Sequence, residues 1–336
     1  MKQDQLQLFD HIAPMISHTP LLEIQFRYRG RPRRIFAKAE YYNLTGSIKD
    51  RVAFHIMKKA YEQHAICKGD TIAEATSGNT GIAFSAIGRY LGHPVIIYMP
   101  DWMSRERIVL MQSFGAEVRL VSREEGGFLG SIQRTEELAK QGGVFLPRQF
   151  SNEDNSETHY LTTGLEIAQQ LDALGLKADG IVAGVGTGGT VMGIGKRLKE
   201  INPGCKAFPL EPLNSPTLST GYKVGKHRIQ GISDEFVPSI CRLNELDDVI
   251  SVDDGDSIIM ARMLSEQLGI GVGVSSGANF IGCIMAQEKL GADSILTTVF
   301  ADDNKKYLST DYADPQEMKD HYITKELELT GVIAYR

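Results

Sequence analysis

From residue 35 onward the chain alternates short apolar runs with longer stretches in which apolar residues recur every three or four positions. The runs predict strands at 35–40, 71–76, 94–100, 116–122, 143–149, 180–186, 206–212, 248–254, 271–276 and 294–300. Between them, helices are expected over about 15 residues after "NLTGSIKDRV", then through Ala83, Ala86 and Ile87, and over about 104–114, 129–141 and 157–173. Nearly continuous apolar strands separated by amphipathic helices imply parallel sheets covered on both faces. The segment 311–336 ends in a strand-like "GVIAY" and is expected to dock on the body or on a partner subunit.

Three strand-to-helix loops carry chemistry. "EATSGNTG" (74–81) exposes backbone N–H groups at a helix N-terminus, beside donors from Thr76, Ser77, Asn79 and Thr80. It suits a carboxylate, although a well-capped turn would read the same. "GVGTGGT" (184–190) lets backbone approach an anion closely, and Thr187 and Thr190 add hydroxyls, so phosphate is expected there. Gly184, Gly186 and Gly189 also satisfy the dinucleotide fingerprint, and Glu211 closes the next strand where a ribose-binding acid belongs. A nicotinamide-dependent dehydrogenase is therefore a rival on that motif alone. In "GVGVSSGAN" (271–279), Ser275 and Ser276 either donate to a ligand or cap the helix.

The opening loop "NLTGSIKDRV" (43–52) predicts a helix beginning near Ser47. Lys49 then lies in the first turn, where the dipole disfavours a cation by about 0.3–1 kcal/mol. A lysine facing other helix N-termini has its neutral form favoured, and neutral amine is what Schiff-base chemistry needs. A phosphate cradle, a carboxylate cradle, a destabilised lysine and a ring-reaching serine together fit pyridoxal phosphate better than a dinucleotide.

Length and composition agree with an enzyme. At 336 residues, 42% hydrophobic and 23% charged, the chain has room for two closely joined domains, or for one large α/β domain with a mobile part. A net charge of −6 argues against a nucleic-acid surface. The basic cluster Arg27, Arg29, Arg31, Arg33 and Arg34 is expected to be a solvated hairpin. Four isolated cysteines give no metal spacing, so no structural metal and a reducing, cytoplasmic setting are expected. Neither a signal peptide nor an apolar run long enough to span a bilayer is read in the sequence.

The motifs "GSIKDR", "TSGNTG", "MSRERIVLMQSFGAEV", "RQFSN", "GVGTGGT", "HRIQGI" and "SSGA" carry a resemblance. The chain resembles the cysteine synthase (O-acetylserine sulfhydrylase) and cystathionine β-synthase family of fold-type II pyridoxal-phosphate enzymes, from about residue 18 to 311. That resemblance implies a tryptophan synthase β-like fold of two doubly wound α/β domains with the cofactor between them. One domain would be 42–151, its part at about 95–139 closing over the substrate. The other would be 18–41 with 152–310, followed by the tail 311–336. It also implies a homodimer and a small amino-acid substrate.

The resemblance further implies that Lys49 carries the cofactor and then moves the substrate α-proton. Asn79 would bond the cofactor 3′-oxygen. Gly186, Thr187, Gly188, Gly189 and Thr190 would hold its phosphate, and Ser275 would face the pyridine nitrogen. Thr76, Ser77, Thr80 and Gln149 would bind the substrate carboxylate. Three departures bear on specificity. "GISDEFVP" puts Ser233, Asp234 and Glu235 where cysteine synthases have three small residues, "GGFLGSI" carries Phe128 for a common methionine, and "FADDNKKYL" has Ala301 and Asn304 for a proline and glycine. Asp234 is expected to act as a general base that activates water for addition to aminoacrylate, unless both acids simply face solvent. The reaction is expected to be β-elimination or β-replacement on L-cysteine or an O-activated serine, with hydrogen sulfide and L-serine as products from cysteine. Ordinary cysteine synthase, a serine or threonine dehydratase, and a non-catalytic binder remain alternatives.

Overall fold

The structure is a computed structural model that describes residues 2–233 and 235–336, with side chains from Leu6 onward. The chain opens with α1 (Lys2–Ile12) and a hairpin, β1 (Leu21–Tyr28) and β2 (Arg31–Ala39). Then come α2 (Lys49–Glu62), β3 (Thr71–Ala75), α3 (Asn79–Tyr90), β4 (Val95–Pro100), α4 (Arg105–Ser113), β5 (Glu117–Val121), α5 (Gly127–Ala139) and β6 (Val144–Phe145). The second half runs α6 (Asp154–Thr158), α7 (Gly164–Asp172), β7 (Gly180–Gly184), α8 (Gly189–Ile201), β8 (Lys206–Pro212), α9 (Thr217–Thr220) and β9 (Ile250–Val252). It closes with α10 (Asp254–Leu268), α11 (Val274–Leu290), β10 (Leu296–Phe300) and β11 (Leu327–Tyr335).

Packing divides these elements into two units, Met1–Ser17 with Asn43–Asn155 and His18–Tyr42 with Ser156–Arg336. The first unit holds a four-stranded parallel sheet in the order β5-β4-β3-β6. Ile72, Ile97 and Met99 of its strands pack with Ile82, Ile87 and Phe9. The second unit holds seven strands in the order β11-β1-β2-β10-β7-β8-β9. Its strands from β2 to β9 are parallel, whereas β1 runs antiparallel to both β2 and β11. β7 and β10 are buried almost throughout, as strands covered on both faces must be.

Two expected strands differ. The run 143–149 pairs only at Val144–Phe145, because Pro147 has no N–H to give a ladder. The run 271–276 forms one isolated bridge, Val272 with Asp303, and Val274 opens α11. Side chains at Gly271 and Gly273 would strike Asn304 and Asp302, so that segment lies against a loop instead of a strand. The helix expected over 157–173 starts at Asp154 and contains a π-turn at His159–Thr163. The basic hairpin is tied down by acids: Arg27 meets Glu328, Arg29 meets Glu326, and Arg34 meets Glu23. Arg33 departs from a solvated reading, for its side chain is only 5% exposed and meets Glu288 at 2.5 Å.

Candidate active site

In the first unit, Lys49 is the first residue of α2 and is half-buried. The helix starts two residues after the sequence signal because Ser47 acts from outside it: its Oγ accepts the Lys49 N–H at 3.3 Å. Asp50 fixes the turn, accepting from the Thr45 N–H at 2.7 Å and the Thr45 hydroxyl at 2.6 Å. Gly46, at φ 80, allows the bend, and its N–H bonds the Asn43 carbonyl. Lys49 is therefore displayed from a rigid turn.

Also in this unit, Thr76, Ser77, Asn79 and Thr80 follow β3 into α3. The Thr76 oxygen accepts the Gly78 N–H at 3.0 Å, which leaves its own proton free to donate. Gly78 has no room for a Cβ, which would strike Arg107. Gln149 is brought to the same loop: its Nε2 donates to the Ala75 carbonyl at 2.8 Å, and its Oε1 accepts from Thr80 Oγ1 at 2.6 Å. The structure thus joins Gln149 to Ala75 and Thr80 on this loop, and spends the Thr80 hydroxyl on Gln149.

Beneath this cluster lies Glu74, which sequence reading passed over. It is 4% exposed and accepts from the Ala75 N–H at 2.9 Å and the Gln149 N–H at 3.2 Å. Burial pushes its carboxyl up to about 8, against those two hydrogen bonds and the charge of Arg148. The available signal was one acid inside the apolar run "TIAEAT".

In the second unit, the glycine loop follows β7 and opens α8, at the carboxyl end of the sheet where α/β folds place ligands. Gly188 has φ +86, and a Cβ there would come within 2.5 Å of Cys241. A Cβ on Gly186 would strike the Gly231 carbonyl. Thr187 Oγ1 accepts the Gly189 N–H at 3.3 Å, which fixes the loop where the unpaired N–H groups of the first turn of α8 begin. Thr190 Oγ1 lies 3.5 Å from Nε2 of His159, a fully buried ring whose Nδ1 meets Thr163 Oγ1 at 3.0 Å. The π-turn aims this ring, another residue the sequence did not reveal.

Ser275 sits in the first turn of α11, 7% exposed, with no side-chain hydrogen bond among the described residues. Asn279 braces that turn, accepting from the Gly184 N–H and donating to the Val299 carbonyl, each at 2.8 Å. Ser276 is a brace too, its Oγ accepting the Ala301 N–H. Glu211 is not a ribose ligand. Its carboxylate accepts from the Leu218 and Ser219 N–H groups and from the Ser219 and Ser251 hydroxyls, and it caps α9. Asp234 lies outside the described residues. Its neighbour Ser233 is 6% exposed in a left-handed conformation, φ +54, that costs a non-glycine residue about 1–2 kcal/mol.

A family model described as "Pyridoxal-phosphate dependent enzyme" matches residues 12–302. The chain belongs to the pyridoxal-phosphate-dependent enzymes. Within that family it stands with the cysteine synthases. It is 38% identical to the cysteine synthase of Staphylococcus aureus, over 90% of this chain and 96% of that one. It is 60% identical to a hydrogen sulfide-producing enzyme of Fusobacterium nucleatum, over 97% and 99% of the two chains, with a TM-score of 0.94. The same enzyme is solved as an aspartate-to-asparagine mutant with an α-aminoacrylate intermediate, TM-score 0.95. Cysteine synthase of Entamoeba histolytica superposes with a TM-score of 0.83 at 35% identity, covering 92% of this chain and 91% of that one. The α/β fold is that of the fold-type II enzymes, and pyridoxal phosphate is the cofactor. The residues present fit it: the 186–190 loop gathers the N–H groups of the first turn of α8 beside the Thr187 and Thr190 hydroxyls, and the Ser275 hydroxyl is buried without a partner. Among the described residues no helix is long and apolar enough to cross a membrane, and no acid, histidine and cysteine group has the spacing of a metal site.

Proposed function

We propose that this enzyme converts L-cysteine and water to hydrogen sulfide and L-serine. The observation that carries the reading is 60% identity, across nearly the whole of both chains, with an enzyme described as hydrogen sulfide-producing. The acid at position 234, where cysteine synthases carry a small residue, supports it from the chain's own sequence.

When bound, pyridoxal phosphate supplies the electron sink that acidifies the substrate α-carbon. The Lys49 amine is the covalent attachment point and then holds the α-proton it removes. The 186–190 loop binds the phosphate through backbone N–H groups and the Thr187 and Thr190 hydroxyls. Asn79 bonds the ring 3′-oxygen. The Ser275 hydroxyl would hold the ring nitrogen as a neutral partner. Thr76, Ser77, Thr80 and Gln149 bind the substrate carboxylate, with Thr76 donating its hydroxyl proton and Thr80 its N–H, since the Thr80 hydroxyl is already committed to Gln149. The thiol sulfur leaves the β-carbon as sulfide. Asp234 takes a proton from water as the water oxygen bonds that carbon and passes it to the departing hydrosulfide, and Lys49 returns the α-proton, which gives serine and hydrogen sulfide. Atoms balance with no oxidant or reductant. A homodimer is proposed as the working assembly, in line with the resemblance.

The test supplies the purified holoenzyme with L-cysteine alone and measures sulfide, serine and pyruvate. Sulfide matched by serine is expected, with serine formation falling more than about tenfold in Asp234→Asn. An enzyme that ignores cysteine but joins O-acetylserine to sulfide is an ordinary cysteine synthase, and that outcome overturns the proposal. Pyruvate and ammonia from serine instead mark a dehydratase.

A further inference from the structure

We infer that Ser233 and His227 are positioning residues that set the product of the reaction by fixing the backbone from which residue 234 departs. The inference rests on the proposed function, which makes Asp234 the base, and adds two residues that no motif role covers.

Ser233 is held through each of its polar groups. Its N–H donates to the Val185 carbonyl at 2.8 Å. Its carbonyl, one half of the peptide that leads into position 234, accepts from His227 Nε2 at 3.0 Å. Its hydroxyl lies 2.9 Å from both the Ser215 carbonyl and Thr217 Oγ1. A carbonyl can only accept, so Nε2 of His227 carries the proton, and burial of the ring favours that neutral form. The Glu211 carboxylate anchors the helix that bears Thr217. Residues 231–232 meanwhile lie on the glycine loop: a Cβ on Gly186 would strike the Gly231 carbonyl, and one on Gly184 would approach Ile232 to 2.8 Å. The chain just before position 234 is therefore braced on the proposed phosphate cradle, on α9 and on the "HRIQGI" segment at once.

A glycine would adopt φ +54 freely, and a small residue is what cysteine synthases have there. A serine in that conformation survives only where its surroundings over-determine it, and such strain collects at functional sites. The three anchors supply that over-determination. A general base must reach its water within hydrogen-bond range, so loss of a few tenths of an ångström at the preceding residue costs rate. Ser233→Gly tests this directly, because it keeps the backbone conformation and deletes only the hydroxyl anchor. His227→Gln keeps a side-chain N–H, and His227→Ala removes it.

The experiment gives each full-length holoenzyme L-cysteine and measures the serine-to-pyruvate ratio, the kcat and KM for sulfide release, the cofactor absorbance band and Tm. In Ser233→Gly, serine formation is expected to fall at least about fivefold and pyruvate to take its place, with KM and cofactor absorbance unchanged. His227→Ala should shift the ratio the same way, and His227→Gln should recover part of it. In an Asp234→Asn background, Ser233→Gly should lower serine formation by less than about twofold further, since both act through one group. A Ser233→Gly enzyme with an unchanged product ratio overturns the inference, as does a full additive loss on top of Asp234→Asn. Should Asp234→Asn itself leave serine formation intact, the base assignment falls and this inference with it. If Ser233→Gly does not fold, the His227 pair decides on the same ratio.

Discussion

Glu74 shows how much one side chain can carry. Its carboxyl is buried at the foot of the 76–80 loop, and its two oxygens accept N–H groups from Ala75 and from Gln149, 75 residues away. Its folded pKa, about 8, lies above the ordinary 4.5, with desolvation the largest cause. The protonated form is therefore the one folding favours. Its stabilisation is full below the ordinary value and is lost as pH rises towards 8, at up to about 1.4 kcal/mol per pH unit. Glu74→Gln has no proton to lose. Urea denaturation between pH 5 and pH 8 should show the variant gaining on the wild type as pH rises, and parallel curves would contradict this. Lys49 teaches the complementary lesson: its residue type and loop were readable, but its display from an Asp50–Thr45 clamp was not.

At the scale of elements, the alternating pattern located most strands and helices because one face or stripe of each must be buried, and burial writes itself into spacing. Errors came where something outside the pattern decided. Pro147 cut β6 short, and glycines at 271 and 273 turned an apolar run into a helix approach. α9 was invisible because a four-residue helix has no periodicity, and it exists through its cap on Glu211. Glu211→Ala should cost about 2–3 kcal/mol of unfolding free energy by orphaning two backbone N–H groups, with Glu211→Gln milder. A dehydrogenase-type ribose acid would have left stability unchanged on substitution.

At the scale of the whole molecule, the tail completes the larger sheet. β11 pairs with β1 along its length, and Glu326 and Tyr335 tie back to Arg29 and Glu23. The expectation of a docked tail meets its own body here, through a strand longer than "GVIAY". Removing residues 327–336 would open the edge of β1 and uncover the core around Leu22, Ile24 and Phe26. Tm should fall by on the order of 5 °C or more, and an unchanged Tm would show that β11 contributes little.

The sequence by itself determined the α/β architecture, the three glycine- and hydroxyl-rich loops, the first-turn lysine and the family, because each is written in residues close together along the chain. Glycine spacing, a first-turn lysine and strand-to-helix alternation need no distant partner to be read. Tertiary structure alone decided which polar groups are already spoken for: Gln149 on Thr80, Glu211 on α9, Asn279 on β7, and Ser233 on Val185 and His227. Thr80 with Gln149, Gly184 with Asn279 and Val185 with Ser233 lie far apart in the chain, whereas Glu211 with α9 and Ser233 with His227 are near neighbours that no helix or strand spacing pairs. In both cases a buried donor or acceptor finds its partner only once the backbone has folded around it.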